Sequence, residues 1–175
     1  MSYIQIDEIQ FRHSGGASNT DPNASIGGVI SAYEIVDATM DSMFDDLSIA
    51  EAVAGDINYR CFYIKNTNAT EVLFSTVLWI DGPPGGDATM YLGCPFALGV
   101  PDPANVNTTP TAIANEATAP SGVTFIAATS EASGLIIGNL AAGDYYPFWV
   151  KRDQAANATP PALVAHFTLI AKGIS

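Results

Sequence analysis

The stretch YRCFYIKNTNATEVLFSTVLWIDGPPGG, residues 59–86, predicts the fold class of this chain. It contains two runs rich in β-branched and aromatic residues, which favour extended strands. Between the runs, Asn-Thr-Asn at residues 66–68 favours a tight hairpin turn. The second run ends at residues 81–86, because proline fixes φ and glycine permits positive φ. Short apolar runs bounded by such turn signals are typical of antiparallel strands.

The same pattern recurs along the rest of the chain. We predict strands near residues 2–11, 27–36, 57–66, 70–81, 87–98, 122–128, 133–138, 144–152 and 162–172. A short helix is expected near residues 43–54, where Asp45 or Ser48 could cap it and Gly55 could end it. The sequence therefore predicts an all-β fold, an antiparallel β-sandwich of the jelly-roll or Ig-like type, with at most one short helix. A length of 175 residues fits a single domain over residues 1–175.

Some of the predicted strands are apolar on both of their alternating faces. In the second run of the opening stretch, one set is Val72, Phe74, Leu78 and Ile80, and the other is Leu73, Val77 and Trp79. An antiparallel sheet with one face in water would instead alternate apolar with polar residues. Either this sheet is a central one with extra cover, or its outer face packs on a partner. Trp79 and Trp149 both lie mid-strand, which predicts that they belong to the core.

Residues 99–121 form a different kind of segment. They contain four prolines and many Asn, Thr and Ala residues, which argues against strands in a ladder. Two interpretations remain open: a long flexible loop, or an extended arm that becomes ordered against a neighbouring subunit. For the second interpretation, the candidate interface residues are Pro101, Pro103, Asn107, Pro110 and Ile113.

The charge of the chain is scarce and acidic. Charged residues make up 14% of the sequence, against roughly 25% in an ordinary soluble domain, so much of the surface is expected to meet other proteins or to be coated by Ser, Thr and Asn. Six Lys and Arg face 18 Asp and Glu, and this balance predicts no direct binding to nucleic acid. We expect no membrane span and, from the first residues MSYIQIDEIQF, no signal peptide. Cys61 and Cys94 are expected as buried thiols, with a disulfide between neighbouring strands left open.

No arrangement of residues in the sequence predicts catalysis, so we assign no catalytic, cofactor-binding or metal-binding residue. His13 and His166 have no His or Cys at metal-ligand spacing. Neither a nucleophile elbow nor a glycine-rich phosphate-binding motif occurs. The acidic group Asp41, Asp45 and Asp46 lacks the EF-hand pattern, so helix capping or plain solvation is expected there.

Three segments of the chain are distinctive as a set. They are DPNASIGGVIS at residues 21–31, MFDDLSIAEAVAGDINYRCFYIKN at residues 43–66, and GNLAAGDYYPFWVKRDQAANATPPALVAHFTLIAKG at residues 138–173. Together they cover 71 of the 175 residues. As a set they resemble a widespread group of bacteriophage virion structural proteins, head decoration or cement-like or tail-associated β-sandwich proteins. The insert at residues 99–121 departs from the compact pattern of that group.

The resemblance implies a structural protein that is made in the host bacterial cytoplasm and built into the virion, with no enzymatic activity and no cofactor. We expect a capsid decoration or cement protein that stabilises the head shell through subunit contacts. Its expected partners are the major capsid protein or other virion proteins, and further copies of itself. The alternative is a tail, neck or fibre-associated module that binds the host through loops of the sandwich.

Overall fold

A computed structural model of the protein describes residues 3–36, 42–81, 88–94, 103–156 and 168–174. Within these ranges the chain forms eight strands and one short α-helix, α1 (Ile49–Ala54). The strands are β1 (Ile9–His13), β2 (Asp56–Asn66), β3 (Leu73–Asp81), β4 (Ala88–Cys94), β5 (Thr124–Ile126), β6 (Leu135–Leu140), β7 (Tyr145–Gln154) and β8 (Thr168–Ile174). Short 3-10 turns lie at Ile6–Glu8, Pro22–Ala24, Pro103–Asn105 and Glu131–Ser133. The predicted all-β class with one short helix is confirmed.

The strands form two antiparallel sheets. Sheet A has the order β1-β2-β7-β4-β5, and sheet B has the order β6-β3-β8. β2 pairs with β7 in sheet A, and the following strand β3 pairs with the preceding strand β6 in sheet B. The chain passes from β2 to β3 and from β6 to β7 at the same end of the β2–β7 pair, where Lys65 faces Tyr145. The paired strands β2–β3 and β6–β7 therefore form one two-stranded ribbon that folds across from sheet A to sheet B. Of the two sandwich types predicted, this wrapping is that of a jelly roll.

Two polar turns hold this crossing in place, and they correct a prediction. Residues 66–68 do not close a hairpin, because β2 and β3 lie in different sheets. Instead the Asn66 N–H donates to the carbonyl of Asp144 at 2.9 Å, and the Gly143 N–H donates to the carbonyl of Asn66 at 3.0 Å. The Asn66 side-chain amide also donates to the carbonyl of Leu140 at 3.0 Å. The turn residues that suggested a hairpin therefore join two neighbouring corners of the sandwich.

The main core lies between the two sheets, and a bulge in β3 decides which residues enter it. The buried residues of β3 are Leu73, Thr76, Leu78 and Ile80. Ser75 has a φ of 52°, and the pairing of β3 shifts register at this point. One extra residue in a strand reverses the alternation of its faces. The prediction that placed Phe74 on the same face as Leu78 and Ile80 was therefore wrong, and Phe74 is 47% exposed.

Other strand predictions also differ from the structure. Residues 27–36 form no regular strand but run beside β1, where the N–H groups of Ser31 and Ile35 donate to β1 carbonyls at 2.8 Å. β1 begins only at Ile9, because the residues before it form a 3-10 turn. The ends of two other predicted strands, residues 95–98 and 162–167, lie outside the described residues.

Helix α1 is shorter than predicted, and Ser48 caps it. The Ser48 hydroxyl accepts from the Glu51 N–H at 3.2 Å, and the Glu51 carboxylate accepts from the Ser48 N–H at 2.7 Å. This reciprocal pair is a capping box, which satisfies two otherwise unpaired donors. Gly55, with a φ of 80°, ends the helix as predicted. Asp45 does not cap the helix and has a different role.

Candidate functional site

Residues 103–121, called the strap below, are the described part of the predicted insert. The strap begins beside β6 of sheet B, and its later part, which includes Ile113, lies on the outer face of sheet A. Backbone hydrogen bonds attach the strap to the rest of the chain: Asn107 N–H to Tyr145 O (2.8 Å), Gly28 N–H to Pro110 O (2.9 Å), Ile113 N–H to Ile26 O (2.9 Å) and Tyr59 N–H to Glu116 O (2.8 Å). The strap also passes very close to Gly27, whose φ is +102° and where a Cβ atom would lie 2.8 Å from the Cα of Ala112. The strap is therefore ordered against its own chain.

The strap and the following strand cover a second apolar cluster. Its buried members are Tyr59, Cys61 and Trp149, and the residues packed against them are Ile113, Val123 and Phe125. Trp149 is only 1% exposed as a result. The sequence left open whether strands that are apolar on both faces have extra cover or pack on a partner. For this part of β2 and β7, the cover on the outer face comes from the chain itself.

The structure does not bring the predicted interface residues together into one surface. Pro101 lies outside the described residues. Pro103 is exposed beside β6, and Asn107 is exposed and hydrogen-bonded to the start of β7. Pro110 and Ile113 are half-buried, and Ile113 packs on the cluster beneath the strap. Contact between the strap and a neighbouring subunit stays a prediction.

A groove of about 670 Å³ lies between the strap and β7. Its lining includes Thr108, Thr111, Ile113, Pro147 and Trp149, and none of the described residues that line it is charged. The volume is in the range of small-molecule sites. However, Trp149 is too deeply buried to offer a ring face for stacking. The groove can accept uncharged groups but has no charged anchor for them.

Two arginines are buried on the inner face of sheet A. Arg60 of β2 is 0% exposed, and Arg152 of β7 is 6% exposed. The guanidinium carbons of Arg60 and Arg152 lie 5.4 and 4.9 Å from the ring centroid of Phe44, within range of a cation–π interaction. Arg152 also donates to Asn58 Oδ1 at 2.7 Å and to the carbonyl of Asp45 at 2.6 Å. One aromatic ring therefore joins the two charged strands to the segment before α1.

Two carboxylates balance these buried charges. Asp45 Oδ1 lies 3.4 Å from Arg60 Nη2 and 3.7 Å from Arg152 Nη2. Glu116 of the strap forms an ion pair with Arg60. Burial lowers the pKa of Arg152, and the charge of Asp45 opposes that effect. Since an arginine stays protonated in a protein, this cluster holds three parts of the chain together rather than exchanging protons.

Sequence reasoning missed this arginine cluster, although a signal for it was present. Arg60 lies inside an apolar strand, and a guanidinium buried there needs an acidic partner. Asp45 was expected to cap the helix or face solvent, and it pairs with the two arginines instead. Glu116 comes from the insert, 56 residues away from Arg60 in sequence, so no local pattern connects them.

Burial shifts the pKa values of two other titratable groups, Cys61 and His13. Burial raises the pKa of the Cys61 thiol, so the thiol is protonated at neutral pH and weakly nucleophilic. Cys61 and Cys94 are both buried and are not bonded to each other, so the disulfide left open by the sequence is not formed. Burial also lowers the pKa of His13, whose Nδ1 lies 3.0 Å from Ser25 Oγ. Across the described ranges, no group of three His, Cys, Asp or Glu residues could hold a metal ion.

The outer face of sheet B, called the apolar face below, has no cover comparable to the strap among the described residues. Its large side chains are Phe74, Val77, Trp79, Ile136, Ile170 and Ile174. Phe74 and Ile174 lie opposite each other on β3 and β8 and are 47% and 66% exposed. Trp79 was predicted to belong to the core. It packs against the main core but is only half-buried, and it lies opposite Ile170 of β8.

The apolar face carries almost no net charge. The three strands of sheet B contain two charged residues, Lys172 in β8 and Asp81 at the end of β3. Lys172 Nζ lies 2.8 Å from both carboxylate oxygens of Glu131, so its charge is balanced. A groove of about 430 Å³ is lined in part by Val77, Ile136 and Pro103. The face is therefore suited to an apolar, uncharged surface of another protein.

In the part of the chain that the structure describes, no helix is long and apolar enough to cross a membrane. The chain matches no protein-family model, no curated protein and no solved structure. A function for the protein therefore depends on its own residues and their geometry.

Proposed function

We propose that the protein is a bacteriophage virion structural protein, a decoration or cement protein that stabilises the head shell through contacts between subunits. The observation that carries the proposal is the apolar face of sheet B. There an acidic chain presents partly exposed Phe, Trp and Ile side chains on a nearly neutral surface. Large exposed apolar patches are uncommon on monomeric proteins and mark sites of protein interaction.

The scarcity of charge supports the same proposal. Only 14% of the residues are charged, and part of this charge is used in internal ion pairs such as that of Arg60 with Glu116. A subunit that is surrounded by other proteins needs less charged surface than a free monomer does. The major capsid protein and other virion proteins are the partners that this composition suits.

Contacts between the three segments that carry the family resemblance add support. The Cys61 N–H of the second segment donates to the carbonyl of Ser25 of the first segment at 2.6 Å. Arg152 of the third segment packs on Phe44 of the second. These residues are distant in sequence, and each contact links two of the segments. Because the three segments contact one another in this fold, there is a structural reason for them to occur together. Jelly rolls are frequent in viral capsid proteins, although a fold alone does not define a function.

One observation favours a second candidate, a host-binding module at the tail. The groove beside the strap is formed by exposed Thr and Ser residues in a long loop region, where sandwich proteins often bind ligands. Its uncharged lining would suit a neutral glycan better than an acidic one.

Particles that lack the protein distinguish the two candidates. A cement role predicts that such particles adsorb to host cells normally but release their DNA at a lower temperature or in low salt. Adding back purified protein should restore the resistance, and a Phe74→Glu variant should restore less than a Val36→Glu control at an exposed site outside sheet B. Normal heat resistance together with failed adsorption would refute the cement role.

A further inference from the structure

We propose that the apolar face of sheet B binds the same face of a second copy of the chain, giving a symmetric dimer. This inference deepens the proposed function by naming the first partner of that face. It depends on the proposed function only for the place of the dimer in a particle.

The distribution of charge is the first argument for a second copy as the occupant. The chain carries a net charge of −12, so two copies repel each other over most of their surfaces. The apolar face is different, because Lys172 is balanced by Glu131 and the remaining charge, Asp81, lies at the end of β3. Two copies can therefore approach most closely through this face.

The same charges argue against a basic partner at this position. A basic surface would be drawn to exposed carboxylates without an internal partner. On the apolar face the carboxylate of Glu131 already accepts two hydrogen bonds from Lys172. A partner surface that is apolar and nearly neutral fits better, and the apolar face itself has these properties.

The layout of the face is compatible with twofold symmetry. Phe74 and Ile174 lie toward one end of β3, Trp79 and Ile170 lie toward the other, and Val77 with Lys172 lies between them. In a twofold interface the same patch serves both subunits, so each residue has a symmetric counterpart. Sheets packed face to face keep their strands nearly aligned at about 10 Å.

The test is the mass of the purified full chain in solution, measured by sedimentation equilibrium at micromolar concentration. We expect a dimer whose fraction increases with salt, because salt screens the repulsion between acidic copies while apolar contacts persist. A chain that stays monomeric over the whole concentration range overturns the proposal. A dimer that dissociates as salt is added would also overturn it, because that behaviour requires an electrostatic interface.

Two matched variants locate the interface. Ile174→Glu and Val36→Glu replace residues with the same 66% exposure, but only Ile174 lies on the apolar face. We expect Ile174→Glu to weaken the dimer at least tenfold and Val36→Glu to leave it unchanged, with both variants showing the wild-type circular dichroism spectrum. Equal dimerisation of both variants would place the interface elsewhere. A monomeric protein found in particles would refute only the dimer, whereas a dimer absent from particles would refute only the virion role.

Discussion

Replacing Trp149 with alanine tests whether the strap makes a true second core on the outer face of sheet A. Trp149 is 1% exposed, and it packs in a cluster with Tyr59 and Cys61 beneath Ile113 of the strap. The substitution therefore removes a large buried ring and leaves a cavity that the neighbouring residues fill only in part. We expect the free energy of unfolding to fall by about 3–5 kcal/mol, the usual cost of truncating a buried aromatic side chain.

Trp79 provides the matched control. Its ring is only half-buried on the apolar face, so less apolar surface returns to water when it is truncated. We expect Trp79→Ala to cost about 2–3 kcal/mol in the isolated chain, less than Trp149→Ala because part of the Trp79 ring already contacts water. Urea unfolding followed by far-ultraviolet circular dichroism measures both values without relying on tryptophan emission.

The comparison also contains the result that would refute this reasoning. A Trp149→Ala loss below about 1 kcal/mol would show that the strap does not cover this residue in solution. Equal losses for the two variants would show that the two faces are covered alike. Proteolysis of the strap should also be faster in Trp149→Ala than in Trp79→Ala, because only Trp149 lies beneath the strap.

Three further substitutions probe the strap and the charged groups. Glu116→Gln removes the strap's charge partner for Arg60, so we expect the free energy of unfolding to fall by about 2 kcal/mol. Glu131→Gln, at an exposed pair, should cost less than about 1 kcal/mol. Urea unfolding measures both values, and equal losses would contradict the role of Glu116 as the partner of buried Arg60. Gly27→Ala should cost about 1–3 kcal/mol more than Gly28→Ala, because both have positive φ but only a Cβ at Gly27 would collide with the strap. A thermal melt in which Gly28→Ala is the less stable of the two would contradict this geometry. Hydrogen bonds from the Gln5 backbone and the Asn68 side chain lower the pKa of Glu8 below its ordinary value of 4.5. Its contribution to stability is therefore complete above pH 4.5 and is lost as the pH falls through the lowered pKa. Glu8→Gln should flatten the acid limb of melting temperature against pH, and an unchanged limb would count against these hydrogen bonds.

The elements that could be predicted from sequence are those set by local chemistry. The runs at residues 57–66 and 144–152 predicted β2 and β7 to within two residues at each end, because both strands are unbroken and strongly apolar. Gly55 ends α1 as predicted, since a left-handed φ at that position favours glycine. Ser48 was one of two predicted caps, and its reciprocal hydrogen bonds with Glu51 selected it.

The features that could not be predicted depend on partners distant in sequence. The bulge at Ser75 reverses the faces of β3 and moves Phe74 outward, and no residue pattern in the strand marks it. Asn66 has the chemistry of a hairpin turn, but its partners at residues 140–144 make it part of a sheet crossing. The candidate interface residues were chosen in the insert, whereas the partly exposed apolar surface lies on sheet B. The sequence left open a partner on the outer face of this strand, and the bulge adds Phe74 to that face.

The number of copies in an intact particle tests the central claim most directly. Under the proposed function, quantitative mass spectrometry of purified bacteriophage particles can compare the protein with the major capsid protein as an internal reference. A decoration role predicts on the order of tens to hundreds of copies per particle, in a ratio to the major capsid protein that is fixed by the symmetry of the shell. Absence of the protein from purified mature particles would contradict it.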